Sequence, residues 1–192
     1  MRYSVSTFAL AVVAVASLFA AASLDPLAQS MDRKLDLMRS AKARPGSVIF
    51  FSSAEINAWA RAQIPTIAPD GIHNARLDLG NQSATAYATV NFAKLRRAQG
   101  ESLNWLIERL IEGERPVQVN AHFQSAGGYA TVFVDRVEIS GLAVSGRTLD
   151  VLIRTFVLPL YPNAKVNEPF QLDDNVDRID VGPAGARAYI KR

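Results

Sequence analysis

Cysteine is absent from all 192 residues, and histidine occurs only twice. Without Cys the chain forms no disulfide, and it lacks the lipid-modified Cys on which a lipoprotein anchor is built. His73 and His122 have no partner at the i, i+4 spacing of a helical metal site, so neither a resident metal nor any other cofactor is expected. Charge of one sign is also scarce: 21 Lys and Arg against 18 Asp and Glu leave a formal net charge of +3, spread along the chain. That excess is too small and too dispersed for a nucleic-acid surface, so no nucleic-acid partner is expected. Two denser groups are Arg33, Lys34, Arg39, Lys42 and Arg44, then Lys94, Arg96 and Arg97. They read as solvated faces, with contact to the anionic headgroups of a membrane surface as the alternative.

Long uncharged apolar runs are missing too, with one exception. Tyr3 to Leu24 follows Arg2 and stops at Asp25. As a helix it would reach about 33 Å, enough for a bilayer core of ~30 Å. It closes on Ala20, Ala21, Ala22 and Ser23, small residues that suit signal peptidase. Residues 1–22 are therefore expected to be a signal peptide removed after Ala22, with an uncleaved membrane anchor as the alternative. Either way the rest is expected to be exported, to the periplasm or another extracytoplasmic space.

About 170 residues remain, enough for one domain with its own core. Leu24, Leu27, Met31, Leu35 and Met38 recur at helical spacing, which predicts an amphipathic linker helix within residues 23–46, ended by Pro45 and Gly46. Residues 47–192 read as a single domain. Its first strand is SVIFF, 47–51, followed by a helix that opens with the capping box of Ser52 and Glu55 and stops at Pro65. Strict alternation then predicts a hairpin over 73–92 that turns at Gly80 and Asn81, dry on Ala75, Leu77, Leu79, Ala84, Ala86, Ala88, Val90 and Phe92 and wet on Ser83, Thr85, Tyr87, Thr89 and Asn91.

Residues 101–112 place Leu103, Leu106, Ile107, Leu110 and Ile111 on one helical stripe, terminated by Gly113 and Pro116. A second hairpin joins 116–125 to 129–140 through Ala126, Gly127 and Gly128; its second arm is apolar on both faces and is expected in the middle of the sheet. Residues 148–162 predict a helix apolar almost all round and largely buried. A last short hairpin, 176–181 and 186–191, closes the chain. Helices inserted between hairpins, rather than between all strands, define an α+β fold: a curved antiparallel sheet, a meander of hairpins, packed on amphipathic helices.

Catalytic chemistry has little to stand on. Ser145 precedes a glycine but lacks the spacing of a nucleophile elbow, and no His lies downstream to serve as its base. Asp173, Asn175 and Asp177 match the first ligands of an EF-hand loop, but Arg178 stands where that loop needs glycine and Ala184 where it needs a bidentate Glu. A turn leading into an exposed strand accounts for the segment instead. The informative oddity is one of volume: Ala84, Ala86 and Ala88 occupy positions where a packed sheet uses larger β-branched residues. Either a helix approaches closely there, or an apolar cavity lies there for a ligand. Trp105, off the stripe of its helix, points to a second apolar surface or to a membrane interface.

From Ser47 onward the order of features resembles the bacterial tubular-lipid-binding-like envelope proteins, the LmeA-type phospholipid-binding and YpmS-like families. The segments that carry the resemblance are VIFFSSAEINAWA, ATVFVDRVEISGLAVS and RTFVLPLYPNAKVNEPFQL. It implies a curved antiparallel sheet wrapped around a helix, with a lipid chain held in the groove between them, and it brings no catalytic residues. Together these readings predict a non-enzymatic, membrane-proximal protein that binds a lipid or other hydrophobic small molecule. The expected lining is Leu77, Leu79, Ala84, Ala86, Ala88, Val90, Phe92, Leu103, Leu106, Ile107, Leu110, Phe123, Val132 and Val134. The alternative is an envelope assembly module whose sheet edge or groove holds a peptide or partner protein.

Overall fold

The computed structural model describes residues 25–40, 42–68, 71–96, 109, 111–158 and 165–192. Helix α1 (Pro26–Arg39) starts where its sequence asks it to: Asp25 accepts the Leu27 N–H at 2.9 Å, and Pro26 stands at a first-turn position that needs no donor. Its buried stripe is Ala28, Met31, Leu35 and Met38; Leu27, expected on that stripe, faces solvent, and the helix read from sequence as a linker is seated in the main core beside α2. Strand β1 (Val48–Ser52) runs directly into α2 (Ser53–Ile67), which opens with the capping box of Ser52 and Glu55. Pro65 does not stop this helix. It lies in the final turn, where one lost donor is cheap, and Ala68 N–H still closes on the Ile64 carbonyl at 2.9 Å.

Antiparallel hairpins follow: β2 (Ile72–Gly80) with β3 (Ser83–Asn91), then β4 (Glu114–Ala126) with β5 (Tyr129–Ile139). A short helix, α3 (Phe92–Arg96), leaves β3, and Pro116, expected as a terminator, lies inside β4 opposite Thr89. Strand β6 (Leu142–Val144) folds back on the end of β5, and β7 (Pro169–Gln171) pairs with its beginning, so the sheet runs β2-β3-β4-β5-β6 with β7 beside β5. Between them α4 (Gly146–Leu152) widens into a π-helical turn over Ile153–Val157. The fold is thus α+β and mostly antiparallel.

The closing hairpin, β8 (Val176–Gly182) and β9 (Gly185–Ile190), does not extend this meander. It pairs with β1 in a second, three-stranded sheet of order β1-β9-β8. Nor is β8 an exposed strand, since Val176, Ile179 and Val181 are buried. The tips of both long hairpins rest on β8: Gln82 donates its N–H to Val181 and accepts from Val181 through Oε1, and Gly128 N–H bonds the Asp177 carbonyl.

Two bulges decide which side chains face inward. In β2 the register shifts between His73 and Arg76, which brings Ile72 and Leu77, five residues apart, opposite the inward Val90 and Ala86. In β5 Asp135 is skipped: Val134 faces Ala121 and Arg136 faces Asn120. Val132, Val134, Val137 and Ile139 therefore share the inner face, while Phe133 turns outward, stacked on His122 with ring centroids 4.7 Å apart, and Tyr129 at the strand's start is exposed. The two-faced apolar pattern of β5 is the signature of this bulge.

Candidate functional site

The inner face of the larger sheet meets two separate cores. The first joins α1, α2 and the three-stranded sheet to Leu77, Ala84, Ala121 and Phe123. The second gathers Val90, Phe92, Ile139, Leu152 and Phe156, with Phe92 and Phe156 in edge-to-face contact at 5.0 Å. Between them lies an apolar cavity of about 380 Å³, within the ~300–1,000 Å³ range of small-molecule sites.

Its floor is the sheet: Leu77 from β2, Ala86 and Ala88 from β3, Val117 and Val119 from β4, and Val132, Val134, Val137 and Ile139 from β5. Facing it are Leu149 and Leu152 of α4 and Ile153, Phe156 and Val157 of the π turn. Phe92, Ile64 and Val166 complete the wall. The segment 148–158, expected to be largely buried, buries only Leu152, Thr155 and Phe156; Leu149, Ile153 and Val157 are half-covered because they face this space.

Of the residues expected at the site, Leu77, Ala86, Ala88, Phe92, Val132 and Val134 line the cavity. Ala84 and Phe123 are buried in the first core, Leu79 packs against it, and Val90 is buried in the second. Leu103, Leu106, Ile107 and Leu110 lie outside the described residues, as do Trp105 and the stretch 1–24. Alanine size is the link from sequence to shape. Ala84 is covered by the core, whereas Ala86 and Ala88 remain half-buried and border open volume. Ala88 also stands opposite the β2 bulge, where no partner residue is in register. Of the lining absent from the expected set, Ile153, Phe156, Val157 and Val137 had their signal in the all-round apolarity of 149–158 and in the broken alternation of β5.

Hydrogen bonds hold this frame at both edges. Asn57 of α2 accepts the Leu77 N–H at 2.7 Å and donates to the Leu77 carbonyl at 2.9 Å, taking the place of a further strand beside β2. On the far side Asn167, with φ of 60°, does the same for β5: its N–H bonds the Val132 carbonyl and its Oδ1 accepts the Val134 N–H, each at 2.9 Å. At Leu77 and at Val132 and Val134, one residue with an amide side chain thus stands in for a neighbouring strand.

Away from the cavity, Glu55 ties three elements together. Its carboxylate takes Lys34 Nζ at 2.6 and 2.8 Å, Ser30 Oγ at 2.6 Å and the Ser52 N–H at 2.8 Å, while Lys34 also donates to the Phe50 carbonyl. Burial by itself pushes this carboxyl up, but the hydrogen bonds from Lys34, Ser30 and Ser52 outweigh it and hold it at about 2. Lys34 therefore leaves the basic cluster read from sequence to serve the core. Trp59 is buried with its indole N–H on Asp32 at 2.6 Å.

These polar groups are structural in their contacts. His122 pairs with Asp135 at 2.7 Å on the solvent face of the sheet, remote from the apolar lining. Among the described residues no cluster of three His, Cys, Asp or Glu is placed to hold a metal ion, and no helix is long and apolar enough to cross a membrane. No family model, no curated protein and no solved structure matches this chain.

Proposed function

We propose that this is an exported, membrane-proximal protein that holds one lipid or similar hydrophobic molecule between the larger sheet and the α4–π turn, without chemical conversion. The observation that carries the reading is the cavity itself: about 380 Å³, floored by small and β-branched side chains and framed by two independent cores. An apolar lining of this extent left open to water is unfavourable, because its surface stays hydrated instead of buried. An occupant removes that cost. Each methylene transferred from water contributes about 0.8 kcal/mol, and the enclosed part of an acyl chain sums these contributions against the cost of ordering it. The apolar run at Tyr3 to Leu24 and the resemblance to tubular-lipid-binding-like envelope proteins support the same reading, since each is a mark of proteins that work beside a membrane, the ligand's source.

Titration of the full chain with a fluorescent fatty acid tests it. Saturable binding at one equivalent, displaced by unlabelled acyl lipid, is expected. Absence of saturable binding favours the assembly-module alternative, in which a peptide or partner protein is held.

A further inference from the structure

The cavity's charge is one-sided. Among its described lining residues only Arg76 and Lys165 are ionised, both are cations, and no carboxylate is present. The two sit at opposite edges of the sheet. Arg76 belongs to edge strand β2, whereas Lys165 lies two residues before Asn167, which is bonded to β5. Their states differ. Arg76 is already engaged, donating to Asp78 at 3.0 Å and lying 4.5 Å over the Tyr87 ring. Lys165 is exposed at the rim and makes no hydrogen bond or ion pair among the described residues.

A cationic ligand end would find no counter-charge among the described lining residues, and a zwitterionic one would match only half of itself there. An anion would meet an ammonium with all three donors available. The volume adds a second restriction, because about 380 Å³ lies near the small end of ligand cavities. It suits one acyl chain better than two. Resting on the lipid-holding reading above, we infer that the occupant is a single-chain anionic amphiphile. Its carboxylate or phosphate sits at Lys165, and its chain runs across the floor of β5 and β4 toward Ala86 and Ala88. Crossing from β5 to β3 takes two strand spacings, about 10 Å. The bare alanines then receive the tail where the sheet offers the least side-chain bulk.

The test measures binding of hexadecanoate, hexadecyl phosphate and hexadecanol, each below its aggregation limit, to the full chain and to Lys165→Gln, Lys165→Glu and Arg76→Gln. In the unmodified protein at least one anion is expected to bind more tightly than hexadecanol, by about three- to tenfold for a pair at a solvated rim. The preferred anion identifies carboxylate or phosphate as the head. Lys165→Gln should erase that preference while leaving hexadecanol affinity unchanged, Lys165→Glu should invert it, and Arg76→Gln should preserve it. Equal binding of anions and alcohol, or loss of preference in Arg76→Gln instead of Lys165→Gln, overturns the assignment. Failure of all three probes to bind overturns the lipid reading itself, which is a distinct result.

Discussion

Oδ1 of Asn57 accepts the backbone N–H of Leu77 at 2.7 Å, and Nδ2 of the same amide donates to the Leu77 carbonyl at 2.9 Å. One side chain thereby gives an edge strand both bonds that a neighbouring strand would supply. It also fixes the distance between α2 and β2 at the point where Leu77 enters the cavity wall. Asn57→Ala is expected to destabilise the protein by about 2 kcal/mol, since two partly buried backbone groups lose their partners. Asn57→Asp should be no better, because a carboxylate cannot donate to the Leu77 carbonyl. Denaturant titration of both variants checks this, and a stable Asp variant would contradict the paired geometry.

Acid should weaken the contact between α1 and α2. Glu55 is held at about 2, against 4.5 for an ordinary Glu. A carboxyl depressed in the folded state binds fewer protons than in the unfolded chain. Its stabilisation is therefore full above about pH 4.5 and lost as pH falls through 2. Glu55→Gln is expected to cost about 1–3 kcal/mol at neutral pH, with Lys34 left facing a neutral amide. The gap between wild type and variant should narrow between pH 4.5 and 2. Unfolding midpoints measured across that range check the sign.

Gly185 tolerates no side chain. Its φ is 148°, and a Cβ there would fall inside the contact distance of the Phe51 carbonyl oxygen and 2.9 Å from the Ser52 Cα. Gly185→Ala is expected to destabilise by about 2–4 kcal/mol, through backbone that has no room to shift. Gly127, at a positive φ of 58° with no atom within 4 Å of such a Cβ, provides a comparison. Gly127→Ala should cost only about 1 kcal/mol, from backbone strain alone.

How much of this was legible depends on whether information is local. The capping box of Ser52 and Glu55, the Met31, Leu35 and Met38 part of the α1 stripe and the two long hairpins are written in neighbouring residues, and each appears at its expected place, whereas Leu27, read onto that stripe, is exposed and Ala28 is buried instead. The bulges are not so written. Val134 and Val137 are three apart, and simple alternation assigns them to opposite faces until the skipped Asp135 is known. The pairing of β9 with β1 is equally hidden, because the inward residues of the last hairpin specify burial but no partner. At the site, the run of alanines left two readings open, a closely packed helix or a cavity. What it could not announce was that the first of them, Ala84, would be covered by core while Ala86 and Ala88 bordered the cavity.

Filling the cavity should separate ligand binding from stability. Ala88→Leu directs added methylenes into open space beside Val117 and Phe92. Folding stability is expected to stay level or rise slightly, while fatty-acid affinity falls at least tenfold. Were the site a tightly packed interface, the same change would cost about 1–3 kcal/mol by overpacking. Paired denaturant and binding curves on this variant distinguish the two.

Whether the space between the two cores holds a ligand is decided by a native mass spectrum of the full chain as purified, run beside Ala88→Leu. A one-to-one adduct with the mass of a single-chain acyl lipid is expected on the wild type, largely lost in the variant. A wild-type spectrum with no such adduct, or an adduct that Ala88→Leu leaves undiminished, would contradict a ligand site there.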